Sequence, residues 1–273
     1  MTFSIVARSA DGESWGVAVA SKFLAVGATV PAAVAGVGAI ATQADANVAY
    51  KGLALSHLDE GATAGVALQR LLEEDEGRDH RQVGIVDIDG GAASHTGPAC
   101  LPWAGSLTGE GHAIQGNVLA GAEVVEAMAA AWLATDPDEP LARRLLAALA
   151  AGDEAGGDRR GRQSAALLVV REGAGYGGGD DIAVDLRVDD HADPLAELAR
   201  LLDLNDLYLT ASTEAEKVPV TPELAAELEA FAQARGARDF RAWAGTENYE
   251  MRVAEDLSWI DQKILEIVRS SPG

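Results

Sequence analysis

Cysteine is almost absent from the chain, with Cys100 as its single example. An internal disulfide and a thiol-rich metal site are thereby excluded, and the composition suits a reducing compartment. Basic residues are scarce as well: Lys and Arg number 21 against 43 Asp and Glu, a formal net charge of -22. So negative a chain, without a compensating basic stripe, repels phosphate backbones and anionic lipid, so neither nucleic acid nor a membrane surface is an expected partner. No apolar run reaches membrane-spanning length, and Met1-Thr2-Phe3-Ser4-Ile5-Val6-Ala7-Arg8 lacks a basic stretch followed by a long apolar one, so a cytoplasmic location is expected. His57, His80, His95, His112 and His191 form no helical pair and show no carboxylate–histidine spacing. No metal is expected, Asp189-Asp190-His191 being the nearest approach to a ligand set. Gly177-Gly178-Gly179 lacks the Lys-Ser/Thr of a phosphate loop and reads as a turn, while Cys100 reads as a packed thiol.

What is present is apolar bulk: 48% of 273 residues are hydrophobic, enough for a main domain and a small appendage. Thr2 to Arg8 and Trp15 to Ser21, rich in Val, Ile and Ala and separated by an Asp11-Gly12 step, predict a β-hairpin. Val34 to Thr42 predicts one buried strand, with Gln43-Ala44-Asp45 turning toward a helix. Helical spacing of apolar residues predicts a pair over Ala46 to Leu58 and Thr63 to Glu74. A second hairpin follows (Gln82 to Ile88, then Ala92 to Thr96), and after a Gly- and Pro-containing loop a strand over His112 to Leu119. Ala122 to Ala134 and Leu141 to Ala151 predict another helix pair, the latter ended by Gly152. Ser164 to Val170 and Ile182 to Val188 are strands, and Pro194 to Leu204 a helix opened by Asp193. Hairpins alternating with helix pairs suit two stacked sheets with helices on both outer faces: an α+β, four-layer αββα sandwich over residues 1–210. Residues 211–221 read as a linker, and 222–273 as a small all-α unit with helices over Pro222 to Arg235 and Ala254 to Val268.

Several separate blocks carry a resemblance. Thr2 to Arg8, Gly16 to Phe23, Ala41-Thr42-Gln43-Ala44, His95-Thr96-Gly97, Gln115-Gly116-Asn117 and Gly156 to Ser164 resemble the bacterial family called domain of unknown function 1028, grouped with the Ntn hydrolases. The resemblance covers residues 2 to about 207 and implies the αββα fold, with Thr2 where those enzymes carry their nucleophile. In that chemistry the first residue of the mature chain attacks a carbonyl with its side chain, and its free α-amine, which titrates near about 7.7–8.0 in model peptides, takes the proton. Thr2 qualifies once Met1 is removed, and its small side chain permits that removal.

Supporting roles follow from position. Backbone N–H groups of the Thr42-Gln43-Ala44 turn, with Gln43 itself, and the Asn117 side-chain amide are candidate oxyanion donors, or else ordinary turn and capping groups. Lys22 is a candidate to lower the pKa of the Thr2 amine or to hold a substrate carboxylate, or else an ordinary strand-end lysine. In the block Asp158 to Ser164, the arginines Arg159, Arg160 and Arg162 either orient an anionic substrate group or neutralise Asp180, Asp181, Asp189 and Asp190, and Asp158 beside them is a candidate substrate contact. Ser21, His95 and Ser164, within the same blocks, are candidate substrate contacts. The expected function is hydrolysis of a small amide or ureido C–N bond without a cofactor, in a homo-oligomer. The competing expectation is a catalytically silent scaffold that binds a ligand or a partner. The last residues, with Phe231, Phe240, Trp243, Tyr249, Met251 and Trp259, resemble a small domain associated with peptidoglycan binding that accompanies this family. Aromatics so spaced read first as a mini-core or an oligomer contact.

Overall fold

The computed structural model describes residues 2–271. The chain divides into two compact units, Met1–Leu201 and Leu202–Gly273. The division falls inside a helix, earlier than the boundary near 210 read from the sequence.

In the first unit β1 (Thr2–Arg8) and β2 (Ser14–Ser21) form the expected hairpin, and both are buried on both faces. After the short α1 (Val26–Thr29) come β3 (Pro31–Val34) and β4 (Gly38–Ala44), so that the stretch Val34 to Thr42 expected to be one strand holds the end of β3, a turn and most of β4. That expectation is corrected by a tight turn in which Val37 N–H donates to the Val34 carbonyl and Gly36 takes φ 70°. The left-handed region favours glycine, so Gly36 marks the turn and not a strand interior. α2 (Ala49–Asp59) and α3 (Ala64–Glu73) follow, then β5 (Arg81–Asp87) and β6 (Ala92–Thr96). The loop expected before β8 (His112–Asn117) contains a strand of its own, β7 (Gly105–Gly109), paired along β8. α4 (Glu123–Ala134), α5 (Leu141–Glu154), β9 (Ser164–Arg171), β10 (Ile182–Val188) and α6 (Pro194–Leu209) complete the order. α5 runs past the expected stop at Gly152, where a Cβ would stand 2.6 Å from Met128 Cγ. The glycine lets two backbones approach.

All strand pairs are antiparallel, in a six-stranded sheet of order β10-β9-β2-β1-β8-β7 and a four-stranded sheet of order β3-β4-β5-β6. Alternation along β1 sends Phe3, Ile5 and Ala7 toward α4 and α5, and Thr2, Ser4 and Val6 toward the other sheet. Between the sheets, Val6, Trp15, Val17, Val19, Ala166 and Val170 pack against Ala39, Ala41 and Val86. Outside the four-stranded sheet, Ile40, Val83 and Ile85 meet Tyr50, Ala54, Leu58, Leu68 and Leu71 of α2 and α3. The buried Asp87 carboxylate ties sheet to helix by accepting from Ala64 N–H at 2.8 Å, at the positive end of α3. The unit is thus a mixed α and β structure built on two sheets. Among the described residues, no helix is long and apolar enough to cross a membrane.

The second unit is not all-helical as expected. β11 (Lys217–Pro219) and β12 (Trp259–Asp261) pair antiparallel within it, so part of the expected linker is strand. Its helices are α7 (Pro222–Ala234), α8 (Phe240–Thr246) and α9 (Gln262–Ser270), each opened by a side-chain cap from Thr221, Asp239 and Asp261 respectively. Phe240, Trp243 and Tyr249 are buried in one core, Trp243 edge-on to Phe231 at 4.9 Å. Beneath it the buried Arg252 guanidinium meets Asp261 at 2.8 Å.

Candidate active site

The face of each sheet turned toward the other changes character along its length. Beyond the valine cluster it carries Ser4, Gln115 and Asn117 from the six-stranded sheet and Gln43 and Gln82 from the four-stranded one, all buried. Burying an amide is costly unless its donors and acceptors are met, and here all but one of them meet a partner, most within the cluster. Gln115 Nε2 donates to Ser4 Oγ (2.7 Å), which donates to Gln43 Oε1 (2.7 Å). Gln43 Nε2 donates to Gln82 Oε1 (2.8 Å), as does Asn117 Nδ2 (2.9 Å). Gln82 Nε2 turns the other way, toward Gly116 O (2.7 Å), Thr96 Oγ1 (2.9 Å) and Gly105 O (3.2 Å). Gln115 Oε1 is a buried acceptor with no donor among the described residues.

Thr2 closes this polar end. Its side chain is buried, 6% exposed, with Oγ1 3.1 Å from Ser21 Oγ on the neighbouring strand. Its carbonyl lies 3.2 Å from Gln43 Nε2 and 3.5 Å from Asn117 Nδ2. The structure therefore brings together Thr2, Ser21, Gln43 and Asn117. It gives the two amides a different immediate task from the expected one: their hydrogens face Thr2 O and Gln82 Oε1. Gln43 Nε2, with two hydrogens, also has Gln115 O at 3.3 Å. The expected turn at Thr42-Gln43-Ala44 lies inside β4, paired with Arg81 to Val83, and Thr42 N–H donates to Val30 O at 3.2 Å. Strand pairing has consumed what a helix N-terminus would have left free.

A second group adjoins the first through Ser21. The Asp158 carboxylate, 3% exposed, accepts from Lys22 N–H (2.7 Å) and Arg160 N–H (2.8 Å) and pairs with the Arg160 guanidinium at 3.3 Å. Lys22 Nζ points to the Arg162 carbonyl at 3.3 Å. Arg162 grips Asp153 of α5 with Nε and Nη2. Ser164 Oγ donates to Phe23 O and accepts from Val26 N–H, pinning the loop after β2. Ser21, Asp158, Arg162 and Ser164 line a narrow crevice together with Phe3 and Pro194, with free room of only about 10 Å³. His95 stands apart, its Nε2 on the Arg78 carbonyl at 2.9 Å, because the next residue, Thr96, takes the inward position on β6. Gln82 lies outside the motif blocks, and Gln115, though inside one, is not among the candidate site residues; both belong to the buried amide network. Their signal is positional: each is polar at an inward register of an otherwise buried strand.

A family model described as "Family of unknown function (DUF1028)" matches residues 2–198. The chain belongs to this family. The crystal structure of SPO2555 from Silicibacter pomeroyi, which carries the same DUF1028 family model, is similar at 32% identity and a TM-score of 0.68, covering 75% of this chain and 89% of that one. Anbu (ancestral beta-subunit) from Yersinia bercovieri aligns at 10% identity and a TM-score of 0.34, over 74% and 94% of the two chains, too low to support an argument. No curated protein matches the chain. The DUF1028 match takes in every residue of the two groups above and ends within α6.

Proposed function

We propose that this DUF1028 protein is an Ntn-type hydrolase of small amide or ureido C–N bonds, its two sheets and flanking helix pairs forming a four-layer αββα sandwich. The observation that carries the proposal is the setting of Thr2: the start of a central strand, with Oγ1 beside Ser21 Oγ at 3.1 Å and the carbonyl beside two side-chain amides. Met1, whose removal would free the Thr2 amine, lies outside the described residues.

With Met1 removed, the amine takes the Oγ1 proton, directly or through water, as Oγ1 bonds to the substrate carbonyl carbon. The C–N bond breaks as the leaving nitrogen takes that proton, and water then hydrolyses the acyl-threonine ester. Asn117 is the better placed oxyanion donor, since its contact to Thr2 O is the longer of the two and the easier to exchange for a developing charge. Lys22 and Arg162, beside the crevice, receive the substrate's polar end. No cofactor enters. The site lies in a cytoplasmic protein that self-associates, a point that sedimentation of the full chain tests.

A silent scaffold is the second reading, favoured by one observation: Thr2 is buried and the amide hydrogens of Gln43 and Asn117 are already engaged. Intact-mass measurement separates the two. The hydrolase reading expects a chain beginning at Thr2 and a single covalent adduct there with a β-lactone. A retained methionine on all of the protein, or no adduct on the processed chain, leaves the scaffold.

A further inference from the structure

We infer that Gln82 is a positioning residue that sets the direction of both amides holding Thr2. The inference rests on the nucleophile reading for its consequence, though its geometry stands independently. A primary amide can be placed either way round, and the correct orientation follows only from its partners. Three acceptors surround Gln82 Nε2: the carbonyls of Gly116 and Gly105 and the Thr96 hydroxyl oxygen. Two of them are carbonyls and can only accept, so the NH2 group of Gln82 must face them. Its Oε1 must then face Gln43 and Asn117, and both must present NH2 groups in return, at 2.8 and 2.9 Å. Those same NH2 groups lie at the Thr2 carbonyl. Gln43 Oε1, turned away by this constraint, accepts from Ser4 on β1, two residues from Thr2.

The backbone carbonyls of β7 and β8 thus dictate, through one side chain on the opposite sheet, where the first residue of β1 is held. The order matters because a nucleophile misplaced by about 1 Å loses on the order of a hundredfold in rate. Without Gln82, Gln43 and Asn117 lose the shared acceptor that fixes the direction of their NH2 groups, and the hold on Thr2 loosens while the valine half of the interface remains.

The test compares Gln82→Met, which keeps the length and removes the acceptor, with wild type. The rate constant of β-lactone adduct formation should fall at least about tenfold at saturating probe, with the half-saturating concentration unchanged within about twofold. A merely misfolded fraction would instead lower the final extent of labelling. In parallel, hydrogen exchange at the Gln43 and Asn117 side-chain NH2 groups, read by NMR, should accelerate about a hundredfold. If wild type takes no adduct, the nucleophile reading falls and the exchange measurement still decides the role of Gln82. Unchanged exchange overturns the inference, and so does a labelling rate within twofold of wild type. Should Gln82→Met not fold, Gln82→Leu, which also removes the acceptor, takes its place, and if neither folds the residue is a determinant of folding and the positioning role is lost.

Discussion

The two ends of the space between the sheets are built by the same strands from opposite materials. At one end Val6, Val17, Val19 and Val86 exclude water without directional bonds. At the other, Ser4, Gln43, Gln82, Gln115 and Asn117 interlock through bonds with fixed donors and acceptors. On β1 the change takes two residues, from Val6 to Ser4. Apolar packing contributes most of the stability but tolerates slip and repacking. A buried amide network contributes less net free energy and specifies one arrangement. The difference teaches a division of labour: one end keeps the sheets together, and the other decides how they are aligned at Thr2.

Several substitutions can break or sharpen that division. The largest effect is expected from Thr2→Ala, which should cut the adduct rate at least about a thousandfold, roughly 4 kcal/mol, while calorimetry finds the melting temperature almost unmoved. At the valine end, Val17→Ala should cost about 2.5 kcal/mol in urea unfolding and leave the adduct rate of the folded protein unchanged. Equal losses in both measurements would erase the distinction between the ends.

A somewhat smaller effect concerns the footing of the polar end. Arg81, adjacent to Gln82, donates to Asp75, which also accepts from Tyr50 Oη at 2.7 Å and Gly77 N–H at 2.7 Å. The hydrogen bond from Arg81 is the chief reason the Asp75 carboxyl is held well below the usual carboxylate range. A depressed folded-state value means stability that is full above the unfolded value of about 3.9 and is lost as pH falls toward the folded one. Asp75→Asn should therefore cost about 2 kcal/mol at pH 7, with the gap to wild type narrowing in urea titrations at pH 3. A gap that widens with acid would contradict the assignment. Least of all, Lys22→Ala should slow adduct formation only about twofold to threefold, since its ammonium is exposed and directed at a backbone carbonyl.

Much of this architecture is legible in the residues, and the misreadings have physical causes. The opening hairpin, the two helix pairs and the strands around Gly173 to Gly179 follow from periodicity that tertiary packing reinforces. Gly36 was misplaced because a glycine inside an apolar run looks the same in a strand and in a turn until the partner strand is known. β7 escaped because Gly-Ser-Leu-Thr-Gly is short, polar and marginal by itself, and exists through pairing with β8. In the second unit, seven residues of α8 are too few for a periodic signal, and the helix is recognisable through its Asp239 cap. At the site, Thr2, Gln43 and Asn117 were found through motif blocks. Gln82 lies outside those blocks, and Gln115, inside one, was given no role, since nothing in a strand's sequence shows that a glutamine points into a covered interface.

Gly84 carries a consequence for how the two sheets are stacked. The Gln115 amide occupies the room a side chain at 84 would need, with Oε1 2.0 Å from where the Cβ would be. Two apolar surfaces alone could glide past one another by a residue at modest cost, but a protruding amide seated in a notch behaves as a detent. Sliding either sheet would drive Gln115 against the Cβ of a neighbouring position, so the absence of one side chain on β5 fixes the alignment on which every contact to Thr2 depends.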